Sequence, residues 1–200
     1  MLNQLKTLVN NRVGRSLDWH FAKFINEQDE QACDELVLGA FLISRAVGEG
    51  HVCIDLNTQP RIIDVDDQSI YLPEPESWQK VLNQCSLVGK PGEDKPLILD
   101  DQGRLYLHRY WHYQENLAQQ LFQRSTVADI PTDFNKAGQL LDQFFGKSEG
   151  PDWQKAAAAL ALIRPITVIT GGPGTGKTST VVKILALLQS LYAEAPLRIK

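Results

Sequence analysis

Residues Gly171-Gly172-Pro173-Gly174-Thr175-Gly176-Lys177-Thr178 match the pattern G-x-x-x-x-G-K-[ST], and no other stretch constrains the fold as tightly. The pattern needs a strand in front and a helix behind. Ile166-Thr167-Val168-Ile169-Thr170 is a β-branched run that reads as a buried parallel strand. Behind the loop, Val181, Ile184, Leu185, Leu188 and Leu191 recur at helical spacing until Ala195-Pro196 breaks the series, which predicts a helix over 177–194. A dinucleotide-binding fingerprint does not fit, because G-x-G-x-x-G read from Gly172 and Gly174 ends on Lys177.

The residue types explain the chemistry. Gly174 and Gly176 lack a Cβ, so the backbone can take positive φ, approach a phosphate closely and turn its N–H groups inward. The loop then presents the phosphates to a helix N-terminus, where free amides and the macrodipole favour negative charge. Lys177 is positioned to reach the β- and γ-phosphates, and Thr178 to place its hydroxyl on Mg²⁺, which makes these two the candidate catalytic pair and Thr178 the candidate metal ligand. Gly171, Gly172, Pro173, Thr175 (through its backbone N–H) and Ser179 complete the nucleotide-binding set, with Mg²⁺-ATP the expected ligand; Ser179 and Thr180 lie in the first helical turn, where small hydroxyl residues are ordinary.

Charge divides the chain. Residues 1–150 hold 14 Lys+Arg against 22 Asp+Glu, net −8, whereas residues 151–200 hold 6 against 2, net +4. An acidic region repels a nucleic-acid backbone, while a basic glycine-loop segment suits phosphates. With 43% hydrophobic residues the chain can build real cores. Cys33, Cys53 and Cys85 form no C-x-x-C pair, so neither a zinc site nor a disulfide framework is indicated. The N-terminus shows no apolar stretch of signal-peptide length, and Leu36–Ile43 is too short to span a bilayer, so a soluble, cytoplasmic protein is expected.

Apolar spacing predicts three helices within residues 2–47, then a strand at Val52–Leu56, a polar stretch of undetermined structure to Pro75 and a helix over 77–85. Leu97–Leu99 and Arg104–Leu107 flank Asp100-Asp101-Gln102-Gly103 as a hairpin, followed by helices over 111–122 and 133–145. Gly146-Lys147-Ser148-Glu149-Gly150-Pro151 reads as a linker, and a helix over 152–164 follows it. The expected fold class is α/β: a small α+β N-terminal domain over 1–146, a linker over 147–151, and over 152–200 the start of a P-loop NTPase (RecA-like) parallel-sheet motor domain, truncated at its C-terminal end.

Local strings narrow the class. Trp153-Gln154-Lys155-Ala156-Ala157 lies one helix upstream of Ile169–Thr178, and together they resemble the opening of a superfamily 1 helicase motor, which implies that Gln154 reads adenine with paired amide hydrogen bonds. Gly48-Glu49-Gly50-His51-Val52-Cys53 and Arg104-Leu105-Tyr106-Leu107-His108-Arg109-Tyr110-Trp111 resemble strings of the N-terminal domain of the RecD family, the alpha subunit of the exodeoxyribonuclease V (RecBCD) helicase/nuclease complex. The resemblance covers nearly the whole chain, although the loop motif alone is shared by many enzymes. It implies an ATP-driven 5′–3′ DNA helicase working beside RecB and RecC subunits in double-strand-break repair and recombination, with single-stranded or duplex-end DNA bound by the complete motor. It also implies an N-terminal domain that docks onto a partner subunit. The Asp-Glu motif, arginine finger and most DNA-contact motifs of such motors would lie beyond Lys200, so these residues taken alone are expected not to turn over ATP.

Competing readings remain. Another P-loop class, a kinase or AAA+ ATPase, shares the loop, and a non-catalytic docking module fits the 200 residues taken alone. His108 and His112 stand four apart but lack the Glu of H-E-x-x-H and a third ligand. Tyr106, Tyr110, Trp111 and Tyr113 read as core or subunit-interface packing rather than base-stacking platforms. Asp66-Asp67 and Asp100-Asp101 read as turn residues rather than metal ligands.

Overall fold

A computed structural model describes residues 1–29, 31–65, 68–126, 133–147 and 150–192. The chain divides into two compact units, Met1–Asn116 and Leu117–Lys200. It is mixed α/β.

The first unit is organised around one helix. Helices α1 (Leu2–Asn10) and α2 (Ser16–Gln28) pack on α3 (Asp34–Gly48), whose residues from Leu36 to Ser44 are all buried. So apolar a helix must be enclosed on every side, and α4 (Pro75–Leu82) and the sheet complete the enclosure. That sheet has the order β1-β6-β5-β4, from β1 (Cys53–Asp55), β4 (Val88–Gly89), β5 (Leu97–Leu99) and β6 (Arg104–Leu107), with β4 parallel to β5 and the other pairs antiparallel. Close approach of helix and sheet depends on Gly39, where a Cβ would stand 3.2 Å from Cδ2 of Leu105. Trp78 of α4 is fully buried and donates its indole N–H to the Glu35 carbonyl at 3.0 Å.

Between β1 and α4, a hairpin of β2 (Ile62–Val65) and β3 (Gln68–Tyr71) fills what sequence leaves undetermined. Asp66-Asp67 lies outside the described residues. Asp100 is a turn residue, its carboxylate accepting from the backbone N–H groups of Gln102 at 3.0 Å and Arg104 at 2.9 Å. Tyr106 is buried in the core, while Tyr113 stands exposed with the Arg109 guanidinium over its ring. His108 stacks on His112 and lies 3.8 Å from the Asp94 carboxylate. The Cys33 and Cys85 sulfurs lie 3.8 Å apart as free thiols, and burial, with Cys33 adding to it, pushes the Cys85 thiol up to about 12.

Helix α5 (His108–Ser125) carries the divide between the units. In the second unit, α6 (Phe134–Phe145), α7 (Trp153–Ile163) and α8 (Lys177–Leu191) pack around Ala137, Leu162 and Leu187. Sequence division places α6 ahead of the 147–151 linker with the N-terminal domain; its apolar face instead packs on α7 and α8, and Lys155 ties α7 to the Asp142 carboxylate and the Gly146 carbonyl of the α6 end. One expectation is corrected. Ile166–Thr170 forms no strand, and Val168 is 82% exposed, because a parallel strand exists only by pairing and no described strand lies beside it. The described parallel pairing is β4–β5, in the first unit. Residues 193–200, in which Leu197-Arg198-Ile199-Lys200 reads from sequence as the start of a further strand, lie outside the described residues. Among the described residues no helix is long and apolar enough to cross a membrane.

Candidate nucleotide site

Two helix starts build the site. Asp152 caps α7 by accepting from the N–H groups of Gln154 and Lys155, each at 3.0 Å, which fixes Trp153 and Gln154 at the first turn. Gly176 caps α8 from a left-handed conformation, φ +79°, and Gly174 adopts φ +76° two residues earlier. Positive φ at both positions is the backbone conformation that lets a loop turn its amides inward toward an anion.

Side chains close the loop on itself. The Lys177 ammonium donates to the carbonyl oxygens of Gly171 and Gly172, each at 2.6 Å, and the Thr175 hydroxyl donates to the Gly172 carbonyl at 2.9 Å. Ser179 and Thr180 both donate to the Gly176 carbonyl, at 2.8 and 2.9 Å, so their hydroxyls stabilise the first turn of α8. Thr178 and Pro173 stand exposed. The Gln154 amide reaches across to donate to the Thr175 carbonyl at 3.2 Å, and its nitrogen would lie 2.6 Å from a Cβ at position 176.

Four of the expected residues, Gln154, Gly171, Thr175 and Lys177, line one cleft of about 250 Å³ together with Trp153 and Thr180, whereas Gly172, Pro173, Gly174, Gly176, Thr178 and Ser179 are not part of that lining. Trp153 is the member sequence reasoning missed, although its place beside Gln154 was the signal. A lysine held by two carbonyls at the mouth of a glycine nest is a cation ready to exchange neutral acceptors for phosphate oxygens, which accept more strongly from an ammonium. A concavity of the first unit, about 410 Å³ beside α3 and β1, has no glycine in its lining, and its Arg45 is already paired with Glu49 at 2.8 Å.

Comparison with known proteins places both parts. Residues 10–106 match the family model described as RecBCD enzyme subunit RecD, N-terminal domain, and residues 154–199 match an AAA domain model. The chain is 29% identical over 218 aligned positions to the RecBCD enzyme subunit RecD of Haemophilus influenzae, with 96% of this chain and 34% of that protein covered. It is 33% identical to the same-named subunit of Mycolicibacterium smegmatis, covering 89% of this chain and 30% of the relative, and 33% identical to that of Mycobacterium tuberculosis, covering 86% and 28%. The chain spans about a third of the length of these relatives.

Proposed function

This chain belongs to the RecD family, and from that premise we propose that it supplies the partner-docking domain and the ATP cradle of a 5′–3′ DNA helicase acting with RecB and RecC subunits in double-strand-break repair and recombination. The observation that carries this reading is the Gln154 amide 3.2 Å from the carbonyl of Thr175. It sets a group suited to a nucleobase edge on the rim of a cradle suited to phosphates, as a nucleoside triphosphate requires.

Each residue then has a role. The amides of the loop 171–176 and of the α8 start bind the phosphates, and Lys177 leaves the carbonyls of Gly171 and Gly172 for the β- and γ-phosphate oxygens. Thr178, exposed on the first turn of α8, holds Mg²⁺, which when bound neutralises charge between those phosphates. Gln154 exchanges the Thr175 carbonyl for adenine. Phosphoryl transfer also needs a group that activates water and a cation at the developing charge, and the lining of this cleft holds neither a carboxylate nor an arginine.

The acidity of the N-terminal part supports a protein partner over DNA. Residues 1–116 carry 11 Lys+Arg against 18 Asp+Glu, net −7. Co-expression of this chain with RecB and RecC subunits, followed by affinity capture and a single-stranded DNA titration of residues 1–116, tests the assignment. Co-purification with RecB–RecC and negligible DNA affinity at moderate salt are expected. Tight, salt-sensitive DNA binding by residues 1–116, with no retention of RecB–RecC, overturns it.

A further inference from the structure

The chain has four tryptophans, and three of them are accounted for by packing. Trp78 is fully buried, Trp19 is half-buried and donates its N–H to the Leu2 carbonyl at 3.0 Å, and Trp111 is half-buried. Trp153 alone is 80% exposed, at the first turn of α7, where the Asp152 cap fixes its backbone. An indole left in water has a large apolar surface without a partner.

The cleft it lines brings together groups of contrasting chemistry. Its lining combines the apolar side chains of Trp153, Ala157 and Ile169 with Gly171, Thr175, Lys177 and the Gln154 amide. An exposed indole, an amide and an ammonium lining one cleft suit a base, its hydrogen-bonding edge and a phosphate chain. We propose that Trp153 is the stacking platform for the nucleobase of the bound nucleoside triphosphate, an inference that rests on the nucleotide-binding reading of this cleft and assigns it a residue with a distinct duty. Gln154 reads the identity of the base edge. Trp153 supplies affinity for any base, because every base presents a π-face.

The two duties separate experimentally. Calorimetric titrations of the full 200-residue chain with Mg²⁺-ATP, Mg²⁺-GTP and inorganic Mg²⁺-triphosphate are compared for wild type, Trp153→Ala and Trp153→Phe, with thermal melts as a check on folding. Trp153→Ala is expected to weaken ATP and GTP by roughly ten-fold or more while inorganic triphosphate binds as to wild type. Trp153→Phe, which keeps a ring, should hold both nucleotides close to wild-type affinity. Unchanged ATP affinity in Trp153→Ala, or an equal loss for inorganic triphosphate, overturns the stacking role while leaving the phosphate cradle standing. Failure of wild type to bind either ATP or triphosphate removes the cradle reading and the stacking role with it.

Discussion

Arg15 and Asp18 form an ion pair of which only one member meets water. Nη2 of Arg15 lies 2.7 Å from Oδ1 of Asp18; the aspartate side chain is wholly buried and that of the arginine half exposed. The Ser44 hydroxyl donates to the same oxygen at 2.7 Å, and Arg15 also donates from its backbone N–H and to the Ser44 carbonyl, so one carboxylate ties α2 to the central helix α3. Burial by itself pushes the Asp18 carboxyl upward, but hydrogen bonds from Arg15 and Ser44 together outweigh it and hold the group below the usual carboxylate range.

A depressed folded-state pKa means that the stabilisation is present above the unfolded value of about 4 and is lost as pH falls through the folded value. Asp18→Asn is therefore expected to cost about 2–3 kcal/mol near neutrality. Denaturant melts of wild type and variant from neutral pH downward should converge below about pH 4. A gap independent of pH would show that the charge is not what matters.

Gly176→Ala tests the loop geometry. The substitution puts a Cβ at φ +79°, costing roughly 1–2 kcal/mol, and sets it 2.6 Å from Nε2 of Gln154. Affinity for Mg²⁺-ATP should fall by more than about ten-fold, the equivalent of 1.4 kcal/mol. Wild-type affinity would mean that the left-handed cap is dispensable.

Gly138→Ala makes the opposite prediction in the same unit. Gly138 lies inside α6, has no neighbour within 4 Å of a Cβ and is not among the glycines at positive φ. Removing helix-interior glycine should stabilise the second unit by about 0.5–1 kcal/mol. A lower melting temperature would show that α6 is held differently from its packing on α7 and α8.

Legibility followed how local each signal is. Helices α1 and α3 stand out because Leu2, Leu5, Leu8 and Val9 and the α3 run recur at helical spacing, and the β5–β6 hairpin because Gly103 closes an Asp-rich turn; α2 is legible as a helix from Leu17, Phe21, Phe24 and Ile25, but Leu17 and Phe24 are exposed and its buried apolar members are Ala22 and Ile25. Strand β4 is two residues long and exists only through its pairing with β5, which no local pattern announces. The β2–β3 hairpin lacks a glycine turn signal, and Ile166–Thr170 shows the reverse failure, a β-branched run without a neighbouring strand. At the site, glycines and Lys177 are legible because their types answer to phosphate chemistry. The duty of Trp153 is not, since only its exposure in the folded chain separates it from a core tryptophan.

Phosphate release gives a further test. The 200-residue chain with single-stranded DNA added should stay near the background of its Lys177→Ala form, because the lining of the cleft holds no carboxylate and no arginine, and an arginine finger is worth roughly 10³–10⁵ in rate. Turnover comparable to a complete helicase would place the whole catalytic set within these residues.

On the proposed function, Lys177 exchanges the carbonyls of Gly171 and Gly172 for the phosphates of ATP. A calorimetric titration of Mg²⁺-ATP into the wild-type chain and Lys177→Ala, with melts of both proteins, measures it most directly. One site in wild type, affinity lower by at least roughly ten-fold in the variant, and a stability change within about 1 kcal/mol, as for an exposed loop substitution, are expected. Equal affinity in the two proteins, or no binding by wild type, would contradict it.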